Sequence, residues 1–206
     1  MSAPSVKTSA SLRLALVLFA GLATSHRLGA GATGPAHGEQ LALFLWDFLA
    51  YVRWPDDAFK DPDEELRLEI VGHDPFNGAL DRVLAGKTVA RRRVVVTHVS
   101  APTVALPPHV AFISSDEEER MATLLGTYCR KPVLTISDVD RFANRGGVIG
   151  LVEGGMFELI EDDHAVHFTV NRTALYEAHL QIGTERLYLA YPLFSAVSPC
   201  GARSNR

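Results

Sequence analysis

From Glu39 onward the apolar residues Leu41, Leu45, Phe48, Leu49 and Val52 recur at helical spacing until Pro55. That pattern predicts a first amphipathic helix ending at Trp54. Leu66 to Val71 is a short, nearly continuous apolar run, the pattern of a strand buried on both faces. Phe76 to Leu84 then predicts a helix opened by Asp74 and Pro75, a cap and first-turn pair. Strands are predicted at Val94 to Val99, Val110 to Ser114 and Val133 to Ile136, with a helix from Asp116 to Thr127 before the last of them. The rhythm then changes. Val148 to Val152, Met156 to Ile160 and Ala165 to Val170 are separated by Gly154-Gly155 and Asp162-Asp163, which is hairpin turn chemistry and predicts an antiparallel meander. Asn171 can cap a last helix running toward Tyr191-Pro192 with a break at Gly183. The elements together predict a mixed α/β fold: parallel-type βαβ units in the first half, a meander in the second, and helices packed on one central sheet.

Ahead of this pattern lies a different one. Lys7 and Arg13 precede the apolar run Leu14 to Ala23, which stops at the small-residue step Ala23-Thr24-Ser25. Residues 1–25 therefore have the layout of a cleaved signal peptide, since the run is far shorter than the roughly 20 residues of a membrane-spanning helix. Gly29, Gly31 and Gly34 spell G-x-G-x-x-G, but a signal core precedes them and Pro35-Ala36-His37-Gly38 follows. A dinucleotide fingerprint needs a strand before and a helix after, so residues 26–38 are expected to be a linker. One domain over residues 39–192 and a tail over 193–206 complete the expected organisation. The expected location is the periplasm.

Removal of residues 1–25 takes two basic residues with it and moves the formal charge from −4 to −6. An acidic domain with a single basic run, Arg91-Arg92-Arg93, has no nucleic-acid footprint. That run leads straight into Val94 and is expected to be a solvated strand entrance. Two cysteines, Cys129 and Cys200, can pair in an oxidising compartment or remain two separate thiols, and the sequence leaves both open.

Three strand ends run into polar helix starts: Gly72-His73-Asp74, Ser114-Ser115-Asp116 and Ser137-Asp138. Ligands of open α/β sheets sit outside such ends, which makes His73, Asp74, Ser114, Ser115 and Ser137 the candidate ligand crevice. Capping explains the same residues without a ligand, including a capping box of Ser115 and Glu118. Eight histidines are scattered without a zinc spacing, and His164 and His167, three apart on a strand, face opposite sides. No nucleophile elbow or phosphate loop is present. No catalytic residue, metal or cofactor is therefore expected, and the chain is expected not to be an enzyme. Trp46 and Tyr51 fall off the main apolar stripe of the first helix, which makes them the candidates for partner binding.

Several spaced segments resemble the YfiR-like family of secreted bacterial α/β domains. They are Phe48 to Pro55 (FLAYVRWP), Leu66 to Phe76 with GHDPF at its end, Val110 to Ser114 (VAFIS), Pro132 to Asp138 (PVLTISD), Gly146 to Gly150 (GGVIG) and Phe168 to Asn171 (FTVN). The resemblance implies a non-enzymatic periplasmic regulator. The best-known member restrains a membrane-bound diguanylate cyclase through its periplasmic part, so cyclic-di-GMP signalling, adhesion and biofilm formation are the implied processes. Family members often carry cysteines where this chain has Glu69 and His109, so a disulfide there is missing; the two residues either pair with each other as ion and hydrogen-bond partners or do not, and the sequence leaves both open. The expected function is a regulator that binds a membrane sensor or cyclase. The alternative is a secreted module that binds a small molecule in the strand-end crevice.

Overall fold

The computed structural model describes residues 35–103, 105–152, 167–183, 190–192, 198 and 200. The signal-peptide region, the glycine-rich segment up to residue 34, the expected strand Met156 to Ile160, His164 and most of the tail lie outside the described residues.

Strand β2 (Leu66–Val71) is central. It pairs in parallel with β4 (Arg92–Val99) on one side and with β5 (Val110–Ile113) on the other. Beyond β5 come β6 (Leu134–Ser137) and β7 (Ile149–Val152), both parallel to it, and then β8 (His167–Val170), antiparallel to β7. The outer strands are β3 (Thr88–Val89) beside β4 and β10 (Ala190–Pro192) beside β8, giving the order β10-β8-β7-β6-β5-β2-β4-β3. The mixed α/β sheet expected from the pattern is present: among the described residues β4, β2, β5, β6 and β7 run parallel, antiparallel pairing is confined to β7–β8 and β3–β4, and β10 runs parallel to β8.

Alternation along β2 and β5 divides the core. Leu66, Leu68, Ile70, Val110 and Phe112 face a layer formed with α1 (Pro35–Leu49) and α2 (Ala79–Leu84). Val71, Ala111 and Ile113 face the opposite layer, where α3 (Met121–Tyr128) contributes Met121, Leu124, Leu125 and Tyr128. Both layers are predominantly apolar where they meet the sheet, as a parallel sheet requires.

Several element boundaries differ from the expected ones, each for a physical reason. The first helix ends at Leu49, not Trp54, and it begins at Pro35 rather than Glu39. Val52 is buried at a helical interval from Phe48, but the chain has already turned: Val52–Arg53 is strand β1, paired antiparallel with β9 (Gln181–Ile182). The second helix starts at Ala79, because Asp74 accepts hydrogen bonds from the N–H groups of Phe76 and Gly78 and holds those residues in a turn. Residues Ser115–Arg120 form a 3-10 segment, so the α-helix there is only Met121–Tyr128. The last helix, α4 (Arg172–Glu177), is capped by Asn171 but stops after six residues. The chain then returns as strands β9 and β10 where a continuing helix was expected. Cys129 follows α3 and is joined to Cys200 by a disulfide.

The start of α1 is fixed by a close approach. A Cβ on Gly38 would lie 2.7 Å from the carbonyl oxygen of Phe76, whose side chain is fully buried against Phe112. Gly38→Ala should therefore push α1 off the β2–α2 connection and destabilise the domain by about 1–3 kcal/mol. Urea unfolding of the two proteins checks this through a lower midpoint at unchanged slope.

Candidate functional site

The helix after β2 lies on one face of the sheet and the helix after β5 on the other, so the carboxyl ends of these neighbouring strands form the topological switch point. The fold brings His73, Asp74, Ser114, Ser115 and Ser137 to that one end of the sheet. Their polar groups are directed inward, to the chain itself. Gly72 has φ +93°, and a Cβ there would stand 2.6 Å from Oδ1 of Asp116. The His73 N–H donates to both carboxylate oxygens of Asp116, at 3.1 and 3.2 Å. Asp116 thus lies at the switch point, with its carboxylate on the His73 N–H. Ser137 Oγ accepts from the Val139 N–H at 2.9 Å, and the Ser114 N–H donates to the Val71 carbonyl.

The expected capping box does not form. Ser115 Oγ donates to Asp138 at 3.4 Å, and Glu118 pairs with Arg145 across the loop. The 3-10 geometry of the first turn explains this, because a capping box requires the spacing of an α-helical turn.

A cavity of about 370 Å³ lies beside the ends of β6 and β7. Asp138, Asp140, Arg141, Asn144 and Thr169 supply its polar groups. It adjoins the predicted crevice at Asp138 only. No local motif marks it, because its lining comes from three separate stretches of chain.

Trp46 and Tyr51 are both half-buried rather than exposed. Trp46 packs against the core, and the ammonium of Lys87 sits 3.6 Å from its ring centroid, a cation–π contact. The Tyr51 carbonyl accepts from the Gly183 N–H at 3.0 Å. The more exposed apolar residue on α1 is Leu43, three positions before Trp46 and on the same side.

Glu69 and His109, whose pairing the sequence left open, are both buried and have separate partners. Glu69 Oε2 accepts from the Thr103 N–H at 3.3 Å and faces the α3 layer, where its charge and burial push the Tyr128 phenol up, burial most strongly. His109 Nδ1 accepts the Arg67 N–H at 3.0 Å, which fixes the tautomer, so Nε2 donates to the Ala58 carbonyl at 3.1 Å. Its ring stacks on Phe59 at 4.2 Å, and the Arg92 guanidinium lies 3.7 Å from the other side of that ring system. Arg92 also donates to the carbonyls of Asp61 and Glu64, so the middle arginine of the basic run clamps a loop and is not a solvated strand entrance.

Burial lowers the His109 imidazole from 6.5 to about 4, with help from the Arg67 and Arg92 charges and against the Ala58 hydrogen bond and Glu64. The unfolded chain therefore takes up a proton that the native protein refuses. This contribution is complete above pH 6.5 and is lost as pH falls toward 4, up to about 3 kcal/mol. Chemical denaturation at a series of pH values should show it as a slope in the wild type that is absent in His109→Gln. Equal slopes in the two proteins would sink the assignment.

Outside these clusters, His98 Nε2 lies 3.2 Å from Asp81 Oδ2, with Asp74 beside them. No local motif announces this grouping, since the three residues belong to a loop, a helix and a strand. No helix among the described residues is long and apolar enough to cross a membrane.

The family model described as YfiR/HmsC-like matches residues 39–191, the whole span from α1 to β10. No curated protein matches the chain significantly.

Proposed function

Because the chain belongs to the YfiR/HmsC-like family, we propose that it is a periplasmic, non-enzymatic regulator that binds and restrains a membrane-bound sensor or diguanylate cyclase. Family membership supports a regulatory periplasmic role in cyclic-di-GMP signalling. The observation that carries the reading is the span of the match, because it covers the complete sheet and its helices and not one fragment.

Restraint needs only unequal binding. A protein that holds the inactive state of its partner by about 2.7 kcal/mol more than the active state shifts that partner's equilibrium a hundredfold. The outward side of α1 together with the turn after it is the proposed contact, formed by Leu43 and Trp46 on the helix and Tyr51 in the turn. Deletion of the gene should raise cyclic-di-GMP, and Trp46→Ala or Tyr51→Ala should relieve restraint while the domain stays folded. Leu45→Ala and Phe48→Ala are the contrasting pair: both side chains are buried, so these changes should cost about 2–5 kcal/mol of stability. Unchanged cyclic-di-GMP on clean deletion, with the neighbouring cyclase expressed, removes the regulator reading.

The cavity beside Asp138 and Arg141 favours the second reading, a small-molecule-binding module. It moves ahead if deletion leaves cyclic-di-GMP unchanged. Both readings require export, and mass spectrometry of the protein from cells should find a mature start near His26 or near Thr33. An intact Met1 on the soluble protein contradicts both.

A further inference from the structure

We propose that Asp74, Asp81 and His98 form a binding site for a borderline divalent transition-metal ion such as Zn²⁺. The three donors come from three elements at one end of the sheet: Asp74 from the β2–α2 connection, Asp81 from α2 and His98 from β4. One carboxylate oxygen of each aspartate and one imidazole nitrogen lie within 4.8 Å of one another.

Geometry and chemistry both bear on the choice of ion. Bonds of about 2.0–2.1 Å to a tetrahedral ion place neighbouring ligand atoms roughly 3.3 Å apart. His98 Nε2 and Asp81 Oδ2 are already 3.2 Å apart, so two of the three donors stand at bonding separation. The third is held in place: the Asp74 oxygens accept from the N–H groups of Phe76 at 2.9 Å and Gly78 at 2.7 Å, and each oxygen keeps a further lone pair. His98 lies on a strand paired residue for residue with β2, in register with Ile70, so its backbone is fixed. Asp81 and His98 are about half exposed, which leaves an entry path and room for water to complete the coordination.

The imidazole decides the class of metal. Three carboxylates would suit Ca²⁺ or Mg²⁺, whereas one imidazole with two carboxylates and open positions suits Zn²⁺, Ni²⁺ or Cu²⁺. A bare Asp81–His98 hydrogen bond accounts for that pair alone. It does not account for a second carboxylate, anchored on another element, converging on the same point.

The probe is Zn²⁺ added to the tag-free mature protein and followed by calorimetry, with Ca²⁺ and Mg²⁺ in parallel. One Zn²⁺ should bind per chain, and His98→Ala and Asp81→Asn should each weaken binding by about tenfold or more. His73→Ala, which alters an exposed neighbour outside the donor set, should leave it unchanged. Imidazole NMR of the wild type removes any dependence on how the variants fold: the His98 resonances should shift on Zn²⁺ addition and those of buried His109 should not. The proposal is overturned by an absence of Zn²⁺ binding, by equal binding in His98→Ala, or by equal affinity for Ca²⁺. None of these outcomes touches the regulator reading, which is tested on cyclic-di-GMP.

Discussion

Strand β2 has a hydrogen-bonded neighbour on each side and a packed layer on each face, and the rest of the domain is arranged around that double burial. A strand so placed has little solvent-facing side, so any polar residue it carries must find partners within the protein. Leu66-Arg67-Leu68-Glu69-Ile70-Val71 is accordingly buried except at Arg67, and each of its two charged residues is held by specific partners. Arg67 pairs with Glu64 and donates to the Pro107 carbonyl, and Glu69 takes the Thr103 N–H. The arginine beside Glu64 also holds that carboxyl below the usual range. The two connections that leave β2 and β5 pass to opposite faces, and this creates the switch point.

In many open sheets a switch point is a crevice; here one of the chain's own carboxylates lies at it. Asp116 meets the His73 N–H, and Gly72 is the residue that lets it approach. The neighbouring acidic side chains are likewise engaged, Glu117 with Arg120 and Glu118 with Arg145.

The parallel half of the fold was legible because period and composition agreed: Leu66–Val71 and Val110–Ile113 have the length and apolar content of buried strands and form them. What misled was burial without helix. Val52 continues the spacing of Phe48 and Leu49, yet it enters β1, and no local signal separates a buried strand residue from a helical one at the same interval. The return of the chain as β9 and β10 was hidden for a related reason, since their partners lie far away in sequence. The crevice residues were placed correctly at one end of the sheet, but whether they were open or self-satisfied depended on Asp116, 43 positions from His73. Arg92 and His109 show the same limit from the other direction. Their stack on Phe59 joins three segments, and none of the three announces it.

The short β1–β9 ladder sets Val52 beside Ile182, and Tyr51 beside Gly183, so the chain closes on itself across nearly the whole domain. Such a closure carries a large entropic cost for very few hydrogen bonds, and it forms only after the sheet between has brought both ends to the same place. Its mechanical effect is a clasp: only Ala50 and Tyr51 separate α1 from β1, and only Ala178, His179 and Leu180 separate α4 from β9. Any tug on the opening helix is shared at once with the far end of the polypeptide. A partner that grips α1 therefore pulls on a loop that is tied at both ends, and the domain answers as a single body.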